Sequence, residues 1–258
     1  VFAAIVVIAV LAPWISPHDT SKQDLLNTFA PPSTSGYWMG TDELGRDVLS
    51  RVIGGARISL FTGIVSALIS VAIGLPLGLV AGFFAGRTDM LLGRLFDAVL
   101  GIPSILMALG LSAVLGPSLW VIVVSLGAVW WASYARIVRS EALSLAQAQF
   151  IEAARSTGCT NWRLIFRYML PNVMPIIIAL APLTIASGIL VEASLSFLGV
   201  GVRPPTPTWG AMLSIGRNYV RSAWWLSTFP GLAIVLTILC LNLLGDGLRD
   251  KTDPKLQR

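Results

Sequence analysis

The chain has 258 residues, of which 55% are hydrophobic and 12% charged, with a mean hydropathy of +0.78. Soluble domains carry about a quarter charged residues, so this composition excludes an ordinary soluble domain and indicates a membrane protein. The formal net charge of +5 comes from 18 basic against 13 acidic residues. No basic run is interleaved with aromatics, so the excess fits membrane topology and lipid contact, and no nucleic-acid partner is expected.

Residues 1–12 are apolar, end at Pro13 and fall short of the about 20 residues a spanning helix needs. They read as the outer part of a first membrane helix. Residues 13–57 follow as an extracytoplasmic segment. In it Asp42 is expected to cap a helix starting at Glu43, with Leu44, Val48 and Val52 on one face. Asp47 and Arg51 stand at i, i+4 and are expected to pair, worth a few tenths of a kcal/mol. This predicts an amphipathic helix on the outer membrane surface, entering the second span.

Residues 58–86 carry no charge until Arg87 and are long enough to span with tilt. Gly74, Gly78 and Gly82 recur at every fourth position there, with Gly63 before them. Such a stripe admits a close helix neighbour, either within the bundle or in another subunit. Residues 98–135 are split by Gly116-Pro117-Ser118 into a third and a fourth span. Residues 168–191 and 222–245 give the fifth and sixth. Pro76, Pro175 and Pro182 are expected to kink their helices. Asp97 is expected to pair with Arg94, and Asp246 with Arg249, at helix ends. Residues 58–248 form a five-helix core and residues 249–258 a tail. Cys159 falls in a polar loop and Cys240 in an apolar span, so both are expected as reduced thiols.

The fold class is therefore all-α, a polytopic membrane protein with six transmembrane helices. Lipid leaves no partners for the backbone groups of an open sheet or an irregular chain. Six spans put both ends on one side. Cytoplasmic ends place eleven of the 18 Lys and Arg residues inside, the orientation favoured by the positive-inside rule.

The longest inner loop, residues 136–167, carries most information. Residues 141–156 are rich in helix formers. Gly158 sits where a helix end calls for a left-handed residue. Thr160 or Asn161 can cap a second helix over 162–169, which Pro171 should break. Phe150, Ile151 and Ala154 give the first helix an apolar stripe, suited to a groove on a partner or to the membrane interface. Glu192, about 30 Å along its helix from Pro171 at 1.5 Å per residue, is expected near the outer interface as a possible lining of the pathway mouth.

Glu152-Ala153-Ala154, with Gly158 four residues after Ala154 and then Leu170-Pro171, resembles the cytoplasmic EAA loop of permease subunits in binding-protein-dependent ABC importers. The motif expects isoleucine two places before the leucine; Tyr168 stands here. Three further stretches resemble the dipeptide and oligopeptide group and its C-type subunit. They are Gly40-Thr41-Asp42-Glu43-Leu44-Gly45-Arg46-Asp47; Glu192 to Gly199 with Pro204-Pro205 and Trp209-Gly210; and Asn242 to Asp250 with Asp253-Pro254. Together they cover nearly the whole chain.

The resemblance implies a type I ABC importer permease fold in the bacterial inner membrane. Glu152, Ala153, Ala154, Gly158, Leu170 and Pro171 would form an ATPase-coupling loop. The implied partners are a homologous permease subunit in a heterodimer, two ATP-binding subunits, an extracytoplasmic substrate-binding protein and membrane lipid. The cargo would be di- or oligopeptides. Relatives with the same signatures carry glutathione, nickel, D-amino-acid dipeptides or antimicrobial peptides.

The sequence has no P-loop, and its lysines are only Lys22, Lys251 and Lys255. His18 is the single histidine, so a paired-histidine metal site is not expected, nor is any catalytic residue or cofactor. ATP hydrolysis would fall to another subunit. The competing class is an ion-coupled secondary transporter or channel, which would need ionisable groups near the bilayer midplane. The spans after Arg57 carry none in their middles. A membrane-embedded enzyme would need a polar catalytic cluster, and none is visible.

Overall fold

The computed structural model describes residues 2–34 and 36–252. Val1, and Asp253, Pro254, Lys255 and Arg258 of the expected tail, lie outside the described residues. Among the described residues the protein is all-helical apart from two isolated β-bridges. The helices are α1 (Phe2–Ile15), α2 (Val48–Phe84), α3 (Gly86–Leu100), α4 (Ser104–Leu115) and α5 (Leu119–Ala146). They continue with α6 (Gln149–Ser156), α7 (Asn161–Arg163), α8 (Leu170–Phe197), α9 (Trp209–Gly216) and α10 (Trp225–Thr252). A π-helical segment, Leu164–Met169, fuses α7 to α8, so that Asn161–Phe197 runs as one apolar helix.

Four helices are long and apolar enough to cross a membrane, and α3 with α4 makes a fifth crossing if the bent pair counts as one. The pair turns by 73° at Gly101-Ile102-Pro103. Pro103 offers no N–H to continue a helix and holds the residue before it out of helical geometry. The third span expected over 98–115 is thus a broken one that begins at Gly86. The first helix continues through Pro13 to Ile15, where Ser16 closes it by donating from its N–H and its hydroxyl to the Ala12 carbonyl. At 14 residues it reaches about 21 Å, against a hydrocarbon core of roughly 30 Å. The last helix runs on to Thr252, so the expected tail starts as helix.

The amphipathic surface helix is absent. Asp42 does not cap a helix at Glu43; its carboxylate accepts from the N–H groups of Leu44 and Arg46, each at 2.9 Å, and closes a tight turn. Gly45 completes that turn at φ +71°, pressed on the Asp24 backbone. Asp47 is the cap instead, accepting from the Ser50 N–H at 3.0 Å, and α2 begins at Val48. The expected Asp47–Arg51 pair does not form. Arg51 turns back to Asp42 at 3.5 Å and donates to the Thr20 carbonyl, while Arg46 pairs with Asp42 and Glu43. These buried charges, with Trp225 donating to the Thr41 carbonyl, fold residues 16–34 and 36–47 into a cap over the start of α2 and α10. Burial, and then the neighbouring Asp42, pushes the Glu43 carboxyl above the usual range.

The bundle is organised by backbone-to-backbone approach. Gly74, Gly78 and Gly82 face the carbonyls of Trp131, Ala135 and Arg139, also at every fourth residue, so α2 and α5 run parallel in register. The same offset of 57 residues joins Ser66 to the Val123 carbonyl. The stripe is therefore packing inside the chain. Gly63 turns to another face and meets α8 at Ile185 and Gly188, with α8 antiparallel to α2. One other expected pair is rearranged: Asp97 binds Arg136 on α5 rather than Arg94, and beside it Asp89 binds Arg139.

A Cβ at Gly78 would stand 2.5 Å from the Ala135 carbonyl oxygen, whereas one at Gly93 would meet nothing within 4 Å. Overpacking of this kind costs about 1–3 kcal/mol, while an open helical Gly→Ala change gains up to about 1 kcal/mol. Gly78→Ala is therefore expected to lower the melting temperature in detergent by several degrees. Gly93→Ala should leave it level or raise it. Thermal unfolding of the two purified variants beside the parent checks this.

Candidate functional site

The end of the bundle that carries the C-termini of α2, α5 and α10 is where the helix–glycine–helix loop sits. The long helix expected from residue 141 is two helices. α5 continues to Ala146, Gln147 and Ala148 break it, and α6 starts at Gln149. The apolar stripe divides in two. Ile151 and Ala154 are buried in a cluster with Leu79 and Phe83 of α2, Val138 and Ala142 of α5, and Leu164 and Met169 of the π turn. Phe150 remains 44% exposed. So α6 is not a free helix awaiting a groove. It is clamped onto the end of α5 and the π turn that leads into α8, in one apolar cluster with the end of α2, and the Arg155 guanidinium lies over the Phe83 ring at 5.7 Å.

This seating sorts the expected site residues. Glu152 and Ala153 face outward and are exposed, while Ala154 faces inward at 8% exposure. Only Ala153 of the alanine pair can admit a partner's surface; Ala154 is small because α6 lies close on its own bundle. Gly158 has φ +82°, the left-handed conformation expected of it. The Cys159 N–H donates to the Ala154 carbonyl at 3.2 Å, and the Thr157 hydroxyl donates to the same oxygen at 2.8 Å. This is the hydrogen-bond pattern of a glycine helix stop. Thr160 stands at the next N-cap position without a side-chain bond.

Pro171 does not break the second helix. Its missing N–H falls in the first turn of α8, and the preceding turn loosens to π geometry, with the Leu170 N–H reaching the Ile165 carbonyl. Leu170 packs on the same core cluster as Ile151. Pro171 lines a cavity of about 790 Å³ between α5, α8 and α10, together with Glu141, Asn172 and Asp246. Trp162 and Phe166 were not singled out by the sequence. They stack at 5.9 Å and stay 62% and 59% exposed. Their i, i+4 spacing is the signal that could have found them.

Glu192 lies near the C-terminal end of α8 but does not line an open mouth. It is fully buried, accepting from the hydroxyls of Ser196 at 2.7 Å and of Ser59 on α2 at 3.2 Å. The loop after α8 folds back over it and covers it. Cys159 and Cys240 are both free. Among the described residues no His, Cys, Asp and Glu group has the geometry of a metal site.

Because a Cβ at Gly158 would meet nothing within 4 Å, only its φ limits what can stand there. Left-handed geometry costs an ordinary residue about 1–2 kcal/mol and asparagine less. Gly158→Asn should therefore keep the melting temperature in detergent close to the parent's. Gly158→Val should lower it by several degrees. Equal melting temperatures for the two would contradict the helix-stop role.

The sequence pattern of the binding-protein-dependent transport system inner membrane components matches residues 74–258. That of the N-terminal TM domain of oligopeptide transport permease C matches residues 1–32. The Di/tripeptide transport system permease protein DppC of Pseudomonas aeruginosa is 45% identical over 98% of this chain and 85% of its own length. The Dipeptide transport system permease protein DppC of Bacillus subtilis is 42% identical over 98% and 79%. The Glutathione transport system permease protein GsiD of Shigella flexneri is 44% identical over 98% and 84%. In fold the chain is similar to a chain of the MetNI methionine ABC transporter in an inward facing conformation. The TM-score is 0.63 at 18% identity, covering 79% of this chain and 96% of that one.

Proposed function

The chain belongs to the binding-protein-dependent transport system inner membrane components, and from that premise we propose that it forms half of the pathway of an ATP-driven importer of di- and oligopeptides. It is a multi-pass protein of the bacterial inner membrane. Family membership displaces the ion-gradient carrier as a reading. The cargo follows the di- and tripeptide relatives, and the glutathione relative, also named for a short peptide, falls in the same class.

The observation that carries the mechanism is the clamped α6, which offers Glu152 and Ala153 outward from the common end of α2, α5 and α8. A subunit that binds ATP would grip this face. Movement of that subunit would then reach α2 and α5, and α8 through the π turn, because Ile151 and Ala154 are buried between α6 and the bundle. A second permease subunit would complete the pathway, and an extracytoplasmic binding protein would deliver the peptide. The end bearing α6 is cytoplasmic in this reading and the cap is outside. Short α1 would be the outer part of a sixth span.

Ala153→Trp tests this reading. The side chain points away from the bundle, so the variant should insert and melt like the parent. A bulky ring on the docking face should reduce co-purification of the ATPase subunits and peptide uptake by about tenfold or more, the equivalent of about 1.4 kcal/mol. Ala154→Trp should instead lower stability, since its side chain enters the core cluster. Normal uptake by Ala153→Trp in a complex of full stoichiometry would remove α6 from the transmission route.

A further inference from the structure

The loop from α8 to α10 does not simply cross the outer surface. It dips back as α9, whose first residues wedge between α2 and α8. Trp209 is 2% exposed; its ring abuts Gly55 and its indole N–H donates to the Val52 carbonyl at 2.9 Å. Gly210 lies so close on α8 that a Cβ there would stand 2.5 Å from the Ala193 Cα. Thr208 begins the helix by accepting from the Ala211 N–H at 3.1 Å, and its hydroxyl donates to Ser196 Oγ at 3.4 Å. Ser196 in turn donates to Glu192, which also receives the Ser59 hydroxyl. A chain of side-chain hydrogen bonds therefore runs from the N-terminus of α9 through α8 to α2. Ser59, Glu192 and Thr208 are fully buried along it.

None of the ion pairs among the described residues includes Glu192. A buried carboxyl held only by hydroxyls is a costly way to tie helices together, when apolar packing would hold them more firmly. Its advantage is that hydroxyl-to-carboxyl bonds can be exchanged for bonds to water, so the joint can open without leaving polar groups unpaired. Interlocked apolar side chains have no such second state.

We propose that Glu192 is the positioning residue of an outer gate: it holds α9 as a wedge between α2 and α8 while the outer end is closed, and α9 lifts from that seat when the pathway opens outward. The inference rests on the orientation given above for the two ends of the bundle. It adds which residues hold the outer end shut. Thr208, Trp209 and Gly210 are the part that moves; Ser59, Glu192 and Ser196 are the seat.

Thiol labelling of the whole transporter in vesicles tests it, with Cys159→Ser and Cys240→Ala as background and a membrane-impermeant maleimide outside. Ser59→Cys places a thiol beneath α9, and Ser21→Cys, exposed on the cap, reports orientation. The expected result is that Ser21→Cys labels in every state. Ser59→Cys should be protected in the nucleotide-free complex and label when binding protein, peptide, ATP and vanadate trap the transporter. Adding Glu192→Leu should expose Ser59→Cys without nucleotide and reduce uptake by at least tenfold. Glu192→Gln, which keeps an acceptor, should preserve both protection and most uptake. Should the Leu variant fail to assemble, labelling of Ser59→Cys alone decides. Protection of Ser59→Cys in every state, with Ser21→Cys labelled, would make α9 a fixed strut and overturn the gate. Labelling in every state would overturn it equally. Labelling of Ser21→Cys only from the inside would instead contradict the orientation on which both readings depend.

Discussion

The direct contact of the α2 and α5 backbones is the constraint on which the rest of the molecule depends. Three glycines of α2 face three carbonyls of α5 at matching intervals, with the β-carbons of Tyr134, Val138 and Ala142 packed beside them. Within lipid there is little hydrophobic gain in bringing helices together, so close van der Waals contact has to supply the attraction. Because the helices are parallel and share one register from Ser66 to Gly82 of α2, the contact fixes rotation and translation together. A slide by one residue would put a carbonyl against a β-carbon. The pair behaves as a single body with two ends, and every functional feature is mounted on one of them.

At the end proposed as inner, α6 packs in one apolar cluster with Leu79, Phe83, Val138 and Ala142, which belong to that pair. At the end proposed as outer, α9 rests on Val52, Gly55 and, through Glu192, Ser59 of the same α2. The contrast between the two seats is chemical. The inner one is apolar, close and closed by a cation over a ring, suited to passing on a push. The outer one is a line of hydroxyls on a carboxyl, suited to letting go. In the proposed mechanism a displacement of α6 would tilt α2 and thereby change the fit of α9, with no separate relay between the two ends.

Much of this was legible in the sequence, and the errors have physical causes. The spanning helices stand out because charge is excluded from lipid, and the loop glycine stands out because a helix stop needs a left-handed residue. The break at Gly101-Ile102-Pro103 was missed because it lies within a charge-free stretch, where composition alone marks no boundary. The Asp47–Arg51 pair was misread because i, i+4 spacing implies contact only if the helix side chains have no better partner, and Asp42 of the folded-back cap is that partner for Arg51. The glycine stripe announced a close neighbour but could not name it. Burial of Ala154 beside exposed Ala153 could not be read at all, since it depends on how α6 rolls onto helices distant in sequence. Glu192 stands out in the sequence as a carboxyl in an apolar helix, but what covers it, the loop beginning at Thr208, arrives only through the fold.

The most direct measurement is a pulsed EPR distance along the α2–α5 body. Spin labels at Leu68→Cys on α2 and Ser144→Cys near the inner end of α5 are both exposed and lie roughly 28 Å apart at 1.5 Å per residue. The pair should give the same narrow distribution in nucleotide-free complexes and in complexes trapped with ATP and vanadate. A shift of several ångströms between the two states would mean that α2 and α5 slide or part during transport, and would contradict the single body on which both seats depend.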